Sequence, residues 1–328
     1  MFTVEGRNRV GVSRDPSRVR RNESASNSSI IQIAIQAHSL PNADKLSLSD
    51  PFCVLFEVSD SSHPIELLRT ETVWNDLDPK FVRTVDVAVS DDLDSILRVE
   101  VYDRDSKSEL LDKHNFLGGV TFSLSELNNA QARRLKLKLV QPDARKENKA
   151  WVTFLGTQLE FPDDQRSARI QFRSTLLRKK AILPQISSIS MFYVISQARD
   201  DAAPFDWSPV YRSEVLSSAD GKSDGAHLVF SDAKINFQSL NNSRMDQPNK
   251  LELYVFHRDG QHELVGHALF SVQDMYETET PVFYSDFHSG ESDKKIGVLK
   301  SQLTSCQEGV FSFQLQADIN GSEKYKPL

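Results

Sequence analysis

The sequence predicts an all-β chain folded as two antiparallel β-sandwiches in tandem. Three observations carry this: apolar residues alternate with polar ones at a period of two in many short runs, helical periodicity is weak throughout, and 328 residues exceed one ordinary sandwich.

The alternation begins at Ile31, where Ile31, Ile33, Ile35 and Ala37 are interleaved with Gln32, Ala34 and Gln36. It returns in Val85, Val87 and Val89, in Leu97, Val99 and Val101, in Leu135, Leu137 and Leu139, and from Trp151 to Leu155. Each run predicts a strand with one face in a core and the other wet. A second set starts near Ala168 and closes with Val310, Phe311, Phe313 and Leu315. Between the sets, Phe161-Pro-Asp-Asp-Gln-Arg166 is short, polar and broken by proline, which sets a first domain at 30–161, a second at 166–317 and a tail at 318–328. Residues 1–29 carry six arginines and the stretch SASNSS with almost nothing to bury. They read as a disordered basic arm, either attracting anionic lipid or serving as an inert solvated tail.

Composition narrows the function. A formal net charge of −7 argues against a nucleic-acid binder. Cys53 and Cys306 fall in different predicted domains, so two reduced thiols are expected rather than a disulfide. No apolar run reaches the length of a membrane span, and neither a signal core nor a lipidation signal is present. The expectation is a cytosolic chain whose membrane contacts are peripheral.

The halves read as diverged copies: Arg69-Thr-Glu-Thr-Val73 is echoed by Arg212-Ser-Glu-Val-Leu216, and Leu97 to Asp105 by Leu251 to Asp259. In the first copy, Asp44 and Asp50 flank one turn, and Asp103 and Asp105 end a strand. If both turns lie at one end of a sandwich, four carboxylates converge. They repel one another unless neutralised, and hard oxygen ligands on flexible loops suit Ca²⁺ better than Mg²⁺, which demands a tighter octahedron.

The pattern Leu40-Pro-Asn-Ala-Asp44 through Ser49-Asp50-Pro51-Phe52, with Asp103-Arg104-Asp105 and Phe116-Leu117-Gly118, resembles a calcium-binding C2 domain of the synaptotagmin and protein kinase C type. More narrowly, Ser49 to Leu55, Arg69-Thr-Glu71 with Leu77 to Val82, and Val101 to Lys107 resemble the first C2 domain of a copine. The resemblance covers about residues 30–160. It implies C2-type, eight-stranded Greek-key sandwiches, Ca²⁺ held by Asp44, Asp50, Asp103 and Asp105, and binding to anionic phospholipid membranes. Where many such domains carry a fifth aspartate this chain has Asn115, an uncharged ligand, with Asp112 nearby as a substitute.

The mechanism implied is an electrostatic switch: empty loops repel anionic lipid, and a bound cation reverses the local field. Leu46 and Leu48 on the first loop, with Leu110 and Leu111 on the later one, are candidates to enter the bilayer surface, or else pack their own loops. Arg134, Lys136 and Lys138 line one exposed strand face, either a headgroup site or a solvated stripe.

The second half departs from this pattern. Alignment puts Ser190 and Pro184 at the two first-loop aspartates and His257 at the leading aspartate of the later loop, leaving Asp259 and Glu263 acidic. That set makes a poor calcium cage, so this half is expected to be calcium-independent, with protein partners or lipid contacts through Arg178, Lys179 and Lys180. Copines continue into a von Willebrand A-type domain, whereas these residues end at Leu328, so partner recruitment by that domain is not carried over.

No motif for catalysis stands out, and a non-enzyme is expected. The rivals are a metal-dependent phosphoesterase using the aspartates and a calcium-independent interaction scaffold with vestigial loops.

Overall fold

The computed structural model describes residues 29–44, 47–58, 64–90, 94–141, 149–177, 190–199, 207–217, 225–277, 282–290 and 294–320. The basic arm, Leu46, Arg178, Lys179, Lys180 and Pro184 lie outside these residues.

Eight strands build the first sandwich: β1 (Ser29–His38), β2 (Pro51–Glu57), β3 (Ile65–Arg69), β4 (Val85–Val89), β5 (Ile96–Asp103), β6 (Asn115–Ser123), β7 (Arg134–Lys138) and β8 (Trp151–Gln158). They form two four-stranded sheets, ordered β4-β1-β8-β7 and β3-β2-β5-β6. Period-two alternation delivers the core: Ile31, Ile33 and Ile35 from one sheet meet Cys53, Leu55, Val99 and Val101 from the other. The helix α1 (Leu124–Asn129) follows β6 because Ser123 and Glu126 form a reciprocal capping box.

The second sandwich comprises β9 (Ser167–Leu177), β10 (Ser190–Ala198), β11 (Trp207–Arg212), β12 (Leu216–Ser217), β13 (Gly225–Val229), β14 (Ala233–Asn236), β15 (Asn249–Val255), β16 (Glu263–Phe270), β17 (Phe283–Ser289), β18 (Lys295–Gln307) and β19 (Val310–Asn320). Its core runs from Ala168 to Ile319 and shares no residue with the first. The tandem all-β plan holds, with eleven strands among the described residues of the second half where the eight-stranded scheme expects eight. In the first sandwich the last strand, β8, pairs antiparallel with β1. In the second, β18 turns back at Glu308 and Gly309, both at positive φ, and β19 enters between β18 and β9, pairing with β9 in parallel. The period-two pattern marks a strand but not its neighbours, which is why the sequence does not expose this insertion.

One expectation for β1 fails. Gln32, Ala34 and Gln36 are buried, not wet. On β10, Phe192, Val194 and Ser196 are likewise buried on the face opposite the core. A cavity of about 220 Å³ is lined by Asp76, Asp78 and Lys80 from the first half and by Phe192, Val194, Trp207 and Arg212 from the second. The two halves therefore pack side by side, which covers sheet surface that a lone sandwich would expose.

Contacts at both ends set the orientation. At the far end, Arg199 donates to the carbonyls of Gly156 at 2.6 Å, Ala132 at 2.9 Å and Arg133 at 3.3 Å, and Asn242 Nδ2 donates to the Gln158 carbonyl at 3.2 Å. At the other end, the turn at Gly260 sits against Asn75 and Leu48. The corresponding loop ends of the two sandwiches thus lie at the same end of the molecule.

A candidate cation site at the loop end of the first sandwich

The β2–β5 pairing brings the acidic turns together: Pro51 lies opposite Asp103, so Asp50 leaves the sheet beside the end of β5. The backbone N–H of Asp50 donates to Oδ1 of Asp103 at 2.6 Å, and Arg104 N–H returns to the Asp50 carbonyl at 3.0 Å. Ser49, fully buried, accepts from Ala43 N–H at 2.8 Å and donates to Asn42 Oδ1 at 3.3 Å, folding the first loop back over the strand end. The later loop is held by Glu109, which accepts from Arg104 at 3.2 Å and Arg69 at 3.3 Å.

Among the described residues, the group able to share a metal ion is Asp44, Asp103 and Asp105, each offering an oxygen within 4.8 Å of the others. Asp103 is 1% exposed, and its Oδ2 has no hydrogen bond of full geometry; the Ser49 hydroxyl lies close enough to favour the charged form but is also directed to Asn42. A buried carboxylate oxygen left unsatisfied is costly, by about 1–3 kcal/mol or more for a charged group, and a cation is the partner that three converging aspartates would accept. The residues fit Ca²⁺.

Asp50 stands at the edge of this trio. Its Oδ1 accepts from Asn75 N–H at 2.7 Å, which turns that oxygen toward the loop between β3 and β4. Burial is the main cause of a raised Asp50 pKa, with Asp103, Asp44 and Asp105 pushing the same way against the Asn75 hydrogen bond. Burial likewise leads the upward shift at Asp103.

Asn115 reaches the site through Asp105: its backbone N–H donates to Oδ2 at 2.7 Å and its Nδ2 to Oδ1 at 3.0 Å. It thus presents donors to the carboxylate rather than an oxygen to the trio. Asp112 pairs with Lys113 at 3.4 Å and does not join the group.

The leucines divide. Leu110 is 63% exposed, whereas Leu111 is half-buried against the small cluster of Phe52, Val54 and Phe56. Leu48 is half-buried with its Cδ1 near Gly260 of the second sandwich, so it faces the neighbouring half. Sequence reading missed Trp74, 57% exposed on the β3–β4 loop and adjacent to Asn75. The signal available was an aromatic residue in a polar loop segment, Val73-Trp-Asn-Asp76. Arg134, Lys136 and Lys138 are exposed, and Lys136 Nζ lies 3.5 Å from the centroid of the Trp151 ring.

The second sandwich repeats the framework without the carboxylates. Thr70 Oγ1 accepts from Cys53 N–H at 2.8 Å, and Ser213 Oγ accepts from Tyr193 N–H at 2.9 Å. Both hydroxyls donate to the next glutamate's carbonyl, at 3.0 Å and 2.9 Å. Phe52 stacks on Tyr102 as Phe192 does on Tyr254, with centroids 5.6 and 5.1 Å apart. This superposes Asp50 on Ser190, as the sequence suggests, and sets Val255, not His257, in the place of Asp103. His257 falls instead at Asp105, each backbone N–H donating to a histidine Nδ1, at 3.3 Å for Asp105 and 3.2 Å for His257. The ungapped alignment is two residues out, a slip that period-two alternation cannot reveal.

Residues 30–139 match the C2 domain family. Two Arabidopsis thaliana proteins are similar over most of the chain. Protein BONZAI 1 is 26% identical over 285 residues, 83% of this chain and 46% of its own length. Protein BONZAI 2 is 29% identical over 259 residues, 75% of this chain and 41% of its own length. The chain thus spans less than half the length of these relatives. Among solved structures, the C2B domain of BON1 is 25% identical and covers 40% of this chain and 92% of its own, with a TM-score of 0.30. The calcium-bound tandem C2 domains of extended synaptotagmin 2 are 13% identical over 88% of this chain and 96% of theirs, with a TM-score of 0.31.

Proposed function

We propose that this chain is a calcium-dependent phospholipid-binding protein that docks peripherally on anionic membranes through the loop end of its first sandwich. The observation that carries the reading is the convergence of Asp44, Asp103 and Asp105, with a buried oxygen of Asp103 that makes no hydrogen bond of full geometry. Asp44, Asp103 and Asp105 would hold the ion, and Asp50 would join through the oxygen not bound to Asn75.

The switch follows from charge. Four carboxylates at one rim repel lipid phosphate, and a divalent ion when bound supplies positive charge able to accept phosphate oxygens. Leu110 and Trp74 flank the rim as apolar side chains exposed to enter the headgroup region. Protein partners, if recruited, are assigned to the second sandwich, whose equivalent loop carries Val255 and His257 in place of two ligands.

A calcium-independent scaffold is the second reading. It is favoured by Asp105, both of whose oxygens already accept hydrogen bonds from Asn115, so the rim is partly satisfied without an ion. The phosphoesterase reading finds no base in His114, whose Nδ1 accepts from Asp105 N–H while its Nε2 lies 2.9 Å from the Ser108 carbonyl.

Liposome co-sedimentation decides between the first two. With phosphatidylserine vesicles the chain is expected to pellet with calcium and stay in solution with chelator, and both Asp50→Asn and Asp103→Asn should abolish pelleting. Pelleting indifferent to chelator would establish the scaffold reading instead.

A further inference from the structure

We infer that the second sandwich positions the acidic loops of the first: the turn at Gly260 holds Asn75, and Asn75 holds Asp50. This rests on the cation reading above and names what regulates that same site.

Gly260 has φ +80° in a turn closed by its N–H to the His257 carbonyl at 3.1 Å and by His262 N–H to its own carbonyl at 3.0 Å. A Cβ at this position would overlap the Asn75 carbonyl oxygen and approach Leu48 Cδ1 to 3.0 Å. Only glycine combines this backbone with so close an approach. Asn75, itself at φ +54°, touches both flanks of the first acidic loop. Its N–H donates to Asp50 Oδ1 at 2.7 Å, and its side-chain oxygen accepts from Leu48 N–H at 3.2 Å. The turn therefore rests on the residue that fixes where the Asp50 carboxylate points.

The docking is anchored independently at the far end, where Arg199, 7% exposed, spans three carbonyls of the first sandwich. A contact fixed at both ends limits how far the Gly260 turn can drift from Asn75. Cation binding and docking then share a coupling free energy, which is reciprocal: docking preorganises Asp50 and tightens the site, and the ion strengthens docking. Asn75 is a positioning residue in this scheme, acting through Asp50.

Titration calorimetry with calcium alone on the full chain tests this, comparing the parent with Gly260→Ala and with Arg199→Met, which loosens docking from the far end and touches no loop residue. The dissociation constant is expected to rise about tenfold in each variant, within the 5–150-fold range of ordinary coupling. In the parent, calcium should also slow amide exchange across His257–His262, a readout that lost stability alone would not give. Equal or tighter calcium binding in the folded variants overturns the inference, as does exchange in the parent that calcium leaves unchanged. No heat from the parent overturns the cation reading and this inference together, whereas heat from the parent with equal affinity in the variants sinks the inference alone.

Discussion

The backbone N–H of Asp50 donates to Oδ1 of Asp103 at 2.6 Å, while Oδ2 of the same carboxylate makes no hydrogen bond of full geometry. One oxygen thus fixes the geometry of two loops, and the other is an acceptor in a nearly closed site. The fold holds a carboxylate it does not fully satisfy, and that residual demand can be measured without any ligand.

The first prediction follows from the raised Asp103 pKa, caused mainly by burial. Because the folded-state value lies above the unfolded one, near 3.9, the folded chain holds more protons between the two and loses stability as pH rises through that interval. The deficit is absent below the unfolded value and complete above the folded one. In chelator at pH 7, Asp103→Asn is therefore expected to be more stable than the parent by about 1–3 kcal/mol, the amide keeping the bond from Asp50. The gain should vanish as pH falls below about 3.9. Urea melts at several pH values check this, and a destabilised variant at pH 7 would refute it.

Arg199 leads to the second. Its Nη2 serves the Ala132, Arg133 and Gly156 carbonyls with two N–H groups, one of them shared, in a buried setting where a full charge-assisted bond is worth about 1.5–3 kcal/mol. Arg199→Ala should cost about 3 kcal/mol and split a single unfolding transition into two, as the sandwiches lose their mutual support. Calorimetric melts would show it, and one unbroken transition at the parent temperature would count against the clamp.

How far the sequence discloses all this depends on what its periodicity can encode. Ile31, Ile33 and Ile35 show which side of β1 meets the core, and the structure agrees. Gln32 and Gln36 give no hint of burial, because alternation records which side of a strand meets its own core and not what covers the other side. Asp44, Asp103 and Asp105 are legible as a group because Asp residues in turns and at strand ends rarely serve a core. The Val255 equivalence is not, since a two-residue slip leaves every side chain on the same face. Gly260 escapes notice because its meaning comes from a contact between halves that local pattern does not record.

The third prediction uses the repeated hydroxyl. Thr70→Val and Ser213→Ala each remove the acceptor for a buried N–H, that of Cys53 and of Tyr193 respectively. Each should destabilise its own sandwich by about 1–3 kcal/mol. Native-state hydrogen exchange separates them: Thr70→Val should speed exchange in β2 and spare β10, and Ser213→Ala the reverse. Equal acceleration in both strands would mean that each hydroxyl acts through unfolding of the whole chain and not on its own sandwich.

The fourth concerns the rim. Trp74 and Leu110 are large, exposed and close to the acidic loops, an arrangement that contributes nothing to the core. If they enter the lipid interface, each buries apolar area worth up to about 1.5–3 kcal/mol when complete, so partial insertion is worth roughly tenfold in partitioning. Trp74→Ala and Leu110→Ala should each weaken calcium-dependent vesicle binding by about that factor while leaving calorimetric calcium affinity within roughly twofold. Trp74 emission should shift to the blue when vesicles and calcium are both present and not with either alone. An unshifted spectrum under conditions where the chain pellets would place the membrane contact on another face, with the exposed stripe of Arg134, Lys136 and Lys138 the next surface to alter.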